Sequence, residues 1–95
     1  MEVQDFLLTA LGQRIRDLRA KQGYSQESFA DSIGVHRTFI GTIERGESNL
    51  SFHNLVRIAT ALGVTLSQLL SGIERRASAL SNNASPAPGQ LTPKR

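Results

Sequence analysis

The segment His36-Arg37-Thr38-Phe39-Ile40-Gly41-Thr42-Ile43-Glu44-Arg45 holds the side chains whose types and spacing are best suited to chemistry. Arg37 carries a planar fork of donors that matches O6 and N7 of guanine. Thr38 and Thr42 have the i, i+4 spacing that shares one helix face. Their hydroxyls suit base edges and their methyls suit the thymine methyl. Ile40 and Ile43 form a separate apolar stripe that must turn inward. Gly41 costs a helix interior roughly 1 kcal/mol against Ala, and we read it as letting a groove wall approach. His36 either contacts a phosphate or simply begins the helix. Phe39 reads as partly buried packing rather than a wedge between bases. The chemistry implied is recognition by hydrogen bonds and methyl contacts, with no covalent bond made or broken.

Catalytic chemistry has little to work with. The chain has no Cys and two His among its 95 residues. A metal site is therefore not expected, and no disulfide framework exists. No nucleophile–base constellation, phosphate loop or cofactor motif is present, so the chain reads as a non-enzyme that needs no cofactor. No stretch approaches the ~20 apolar residues that cross a bilayer. The opening MEVQDFLLTA lacks the basic start of a secretory signal. We therefore expect a cytoplasmic protein without a membrane partner.

Net charge is a weaker guide. The chain carries +3 with a pI near 10.2, which invites a nucleic-acid reading. Residues 1–72, however, hold seven basic and seven acidic side chains. The excess comes from Arg75, Arg76, Lys94 and Arg95 against Glu74. We read those four cations as solvated, with a basic tail adding at most non-specific attraction to phosphates.

These side chains need elements to position them. Leu7, Leu8, Leu11, Ile15 and Leu18 follow helical spacing up to Gly23 and predict a helix over about 5–21. Ser25 reads as the cap of a short helix over 26–33 with Phe29, Ala30 and Ile33 inward. Gly34 then breaks the chain ahead of a helix over 36–45. Ser51 caps a helix over 52–62 whose inner face is Phe52, Leu55, Ile58, Ala59 and Leu62. Thr65 and Gln68 have capping-box spacing for a fifth helix over 66–71. Residues 73–80 either extend a helix or fray. Ser, Asn, Pro and Gly dominate the end of the chain. The expectation is an all-α, compact five-helix bundle over 1–76, with 77–95 a disordered tail.

Residues 26–45 fit a helix-turn-helix. Two helices crossing steeply over a short turn need a small residue at their contact, and Ala30 supplies it. The turn needs a left-handed residue, which Gly34 adopts without steric cost. In such motifs the N-terminal part of the second helix enters the major groove. Residues 11–70 resemble the Cro/repressor-like (XRE-like) family of regulators, through Ser25-Gln26-Glu27, Gly34, Ile43-Glu44-Arg45-Gly46 and Ala61-Leu62-Gly63-Val64. Arg37-Thr38-Phe39-Ile40 is similar to the recognition helix of restriction–modification controller proteins. The resemblance implies a fold of the lambda-repressor-like DNA-binding type. It implies that Arg37, Thr38 and Thr42 face bases, and that Gln26 and Arg45 contact phosphates. It also implies that Arg19 and Glu44 form an internal ion pair. His36, Phe39 and Thr42 depart from the commoner family residues, so base preference does not carry over.

The expected function is sequence-specific double-stranded DNA binding by a transcriptional regulator, a repressor or autoregulator. A homodimer would read an inverted repeat; the resemblance implies that helices 4 and 5 supply its interface, with Leu66, Leu69, Leu70 and Ile73 as the apolar patch. The competing reading is an antitoxin or adaptor whose main partner is a protein and whose tail folds on binding.

Overall fold

Four of the six helices among the described residues begin at a side-chain cap. In the computed structural model, which describes residues 6–83, the helices are α1 (Leu7–Lys21), α2 (Gln26–Ile33), α3 (Arg37–Glu44), α4 (Phe52–Ala61), α5 (Leu66–Leu70) and α6 (Ile73–Asn83). Ser25 accepts from the Ser28 amide while Ser28 Oγ accepts from the Ser25 amide, closing a box at the start of α2. Ser51 caps α4 through the Asn54 amide. Thr65 and Gln68 cap α5 reciprocally, as their spacing predicts. The cap of α3 is His36, whose Nδ1 accepts from the Thr38 amide at 3.0 Å. Each cap satisfies an amide that the helix itself leaves unpaired.

α1 lies at the centre of the packing and touches α3, α5 and α6, while α2 packs on α3 and α4. Ile15, Phe29, Ile40, Ile43, Ile58, Leu62 and Leu69 are the largest fully buried side chains. The apolar periodicity read from the sequence accounts for all of them. Tyr24 closes one side of this core with its ring 5.3 Å from that of Phe29. Two turns admit no side chain on different grounds. Gly34 stands at φ 83°, in the left-handed region that ends α2. Gly46 is also left-handed, and a Cβ there would come within 2.7 Å of the Thr9 backbone, so the exit from α3 lies directly on α1. Gly12 answers from the other side: a Cβ on it would collide with the carbonyl oxygens of Ile43 and Glu44.

Three expectations change. Residues 77–83, assigned to a disordered tail, are helical in α6, and Ala77 is completely buried. The reason is the Ile73, Ala77, Leu80 stripe, which packs on the bundle core and was hidden by the polar residues around it. The domain therefore runs past 76; the rest of the expected tail lies outside the described residues. Phe52, placed on the inner face of its helix, is 70% exposed. It stands at the first position of α4, where the apolar period continues but no neighbour covers it. Finally, Leu69 and Ile73 belong to the core, so they are not free to form a surface patch. Among the described residues no single helix is long and apolar enough to cross a membrane.

Candidate nucleic-acid interface

α2 and α3 form the helix-turn-helix over 26–45. Ala30, 1% exposed, lies on the inner side of α2, and Gly34 donates its amide to the Ala30 carbonyl at 2.9 Å as the chain turns. Ile40 and Ile43 anchor α3 in the core. That anchoring leaves Arg37 and Thr38 exposed at the start of α3. Arg37 has no hydrogen-bond or ion-pair partner among the described residues. Its five donors are thus free for an external acceptor. Thr42 is half-buried and donates its hydroxyl to the Phe39 carbonyl at 2.8 Å. The hydroxyl keeps acceptor capacity, and the methyl is free of that bond. Phe39 is half-buried and packs against the core, as read from the sequence.

Glu44 organises the junction of α1, α2 and α3. Arg19 grips it with two donors, Nε to Oε2 at 2.6 Å and Nη2 to Oε1 at 3.0 Å. Arg19 Nη1 also donates to the Tyr24 carbonyl at 2.8 Å. Gln26 Nε2 donates to Glu44 Oε1 at 3.0 Å. The side chains of Arg19 and Glu44 are only 12% and 4% exposed, so the pair is desolvated and fully hydrogen-bonded. That arrangement justifies burying the charges, and the pair expected from the resemblance is present. It fixes the amide of Gln26 at the first position of α2, against the base of the recognition helix.

Arg45 follows α3 and folds back beside Gly41, with its Nε paired to Glu47 Oε2 at 3.1 Å. Both partners are more than half exposed, so this pair is open to exchange with another anion. Gln26, His36, Arg37, Thr38, Thr42 and Arg45 thus come from two consecutive helices and their caps. His36 is committed through Nδ1 to the α3 cap, which leaves Nε2 as the nitrogen for an outside partner.

Other arginines proved to be internal ties that the sequence did not distinguish from surface charge. Arg14 donates to the carbonyls of Gln68 and Leu69 at the end of α5, and Arg57 to that of Ile33 at the end of α2. Both act on carbonyls of a helix's last turn, where intrahelical donors run out; that of Gln68 also accepts from the Ser71 amide at 3.3 Å. Arg76, read as solvated, bridges to Asp17 at 3.0 Å and holds α6 on α1. The signal available in the sequence was only that each of these arginines flanks an apolar stripe.

An exposed stripe on the second of two helices joined through a left-handed Gly34, held by a buried ionic hub, defines a helix-turn-helix protein. Residues 15–69 match the helix-turn-helix family model, and the chain belongs to that family. It is 46% identical over 65 residues to the control protein C.MunI of Mycoplasma sp., across 67% of this chain and 88% of that protein. Among solved structures, the restriction-modification controller protein C.AhdI from Aeromonas hydrophila superposes with a TM-score of 0.63. The identity is 42%, over 65% of this chain and 94% of that one. The controller C.Esp1396I, solved as a tetramer in complex with its natural 35 base-pair operator, superposes with a TM-score of 0.68 at 29% identity, over 77% and 96% of the two chains. The likeness to controller proteins is thus not confined to four residues of α3 but covers 65% to 77% of the chain.

Proposed function

We propose that this chain is a sequence-specific double-stranded DNA-binding regulator of transcription, a repressor or autoregulator, that inserts α3 into the major groove. The observation that carries the reading is the exposed Arg37, without a hydrogen-bond or ion-pair partner among the described residues and set beside Thr38 on a helix whose opposite face is locked into the core. Arg37, Thr38 and Thr42 read bases. Gln26, His36 and Arg45 contact the phosphates that flank the groove, and so fix register without carrying sequence information. No catalytic step is assigned to the chain. A controller protein of similar fold was solved on its operator, which supports the same use of this surface.

One recognition helix spans only a few base pairs, so two copies about one helical turn (~34 Å) apart would read an inverted repeat. The face best suited to pairing lies on α4 and α5. There Phe52, Val56 and Leu70 are exposed at 70%, 39% and 39%. The test is a titration of the protein against the DNA immediately upstream of its own reading frame, with a shuffled duplex of equal composition as control. Preference for the upstream sequence at near-physiological salt supports an autoregulator; equal affinity for both duplexes counts against it.

A further inference from the structure

Gly41 stands in the middle of α3 in ordinary helical backbone, where glycine is a poor choice. The fold gives no reason for it. Gly12 and Gly46 each exclude a Cβ because backbone atoms of another element lie in the way. A Cβ on Gly41 would meet no core side chain and no neighbouring backbone. Its contacts would be Nη1 of Arg45 at 3.2 Å and Oε1 of Gln26 at 3.9 Å. Gly41 is nonetheless buried, and the two polar side chains beside it are those assigned to phosphates. Thr38, Thr42 and Arg45 share this face of α3 by helical spacing, so the guanidinium lies next to the base-reading residues.

We propose that Gly41 is a positioning residue that seats the Arg45 guanidinium against α3, beside the Gln26 side chain, so that its terminal nitrogens are presented to phosphodiester oxygens. Gln26 is held from behind by Glu44, and Arg45 is held at its Nε by Glu47. Nη1 and Nη2 of Arg45 are then the groups that meet the DNA backbone. The missing Cβ gives Arg45 this position at the expense of helix stability. A methyl at residue 41 would stand 3.2 Å from Nη1 of Arg45, so the far end of this long side chain must yield and its seat against α3 is disturbed. The inference rests on the DNA-binding reading above and supplies a different reason for Gly41 from a direct approach of the groove wall.

The test is Gly41→Ala in the full chain, with thermal melting and duplex affinity measured together, alone and combined with Arg45→Ala. The expected result is a melting temperature equal to or a few degrees above that of the parent, from improved helix propensity. Affinity falls about three- to tenfold on selected and unrelated duplexes alike, as for a weakened charge-assisted phosphate contact. The dependence of log affinity on log salt becomes shallower by up to about one unit. With Arg45→Ala already in place, Gly41→Ala produces no further loss. A lower melting temperature would make Gly41 a requirement of the fold and overturn the proposal. So would unchanged affinity, or an undiminished loss in the Arg45→Ala background, which would place the methyl against DNA directly. Failure of the unsubstituted protein to bind any duplex would instead remove the DNA-binding reading, and the seat with it.

Discussion

At the scale of single residues, two kinds of arginine are separated by what they touch. Arg37 makes no hydrogen bond or ion pair among the described residues, so Arg37→Ala should leave the melting temperature unchanged. On a cognate duplex it should cost about 1–3 kcal/mol and relax discrimination at one base pair. Competition binding against single-base variants of that duplex checks this; a uniform loss on every sequence would make Arg37 a phosphate ligand. Arg19 is the opposite case. Its partner Glu44 receives two guanidinium donors and the Gln26 amide in a site almost closed to solvent. Glu44→Ala leaves a buried cation without its counter-charge and should cost about 3–5 kcal/mol in urea unfolding. That is a large share of the 5–15 kcal/mol typical of a domain. Replacing both members with apolar residues of similar volume should recover much of the loss, because neither charge is then stranded. A double variant no more stable than Glu44→Ala would mean that the pair itself is indispensable.

At the scale of helices, what the sequence disclosed depended on whether the signal was local. Caps were legible because they act over a single turn. Ser25, Ser51 and the Thr65–Gln68 box sit where side-chain chemistry alone puts them. The apolar period of α1 to α5 was legible for the same reason. α6 was not, since Ile73, Ala77 and Leu80 make a thin stripe among polar residues, and only the presence of α1 gives it something to cover. Arg76 reinforces the contact by reaching Asp17. Comparing a chain that ends at Asn83 with one that ends at Gly72 isolates this helix. The shorter chain should lose about 2–4 kcal/mol of stability, from the buried area of Ile73, Ala77 and Leu80. Equal unfolding midpoints for the two chains would show that α6 adds nothing to the bundle. The buried Arg19–Glu44 pair joins residues 25 positions apart; it was expected from family resemblance, because no local pattern encodes it. The arginine ties from Arg14 and Arg57 to distant carbonyls escaped both routes.

At the scale of the whole molecule, charge does not explain DNA recognition, since acids and bases balance across residues 1–72. What the fold contributes is a rigid mount for α3, built from the core isoleucines, the Gly12 contact with the end of α3, and the Glu44 hub. Doubling that mount would extend recognition to a full site. If Phe52, Val56 and Leu70 pair two copies, Phe52→Ser should weaken the dimer by roughly tenfold or more, as truncating an aromatic anchor does. Sedimentation across a concentration series should show it while the fold stays intact, and an unchanged dimer constant would move the interface elsewhere. The most direct test of the central claim is selection from a random double-stranded DNA pool at near-physiological salt, followed by sequencing of the retained fraction. A dimeric, base-reading regulator predicts enrichment of an inverted repeat whose half-sites lie about one helical turn apart, and retention without enrichment would contradict it.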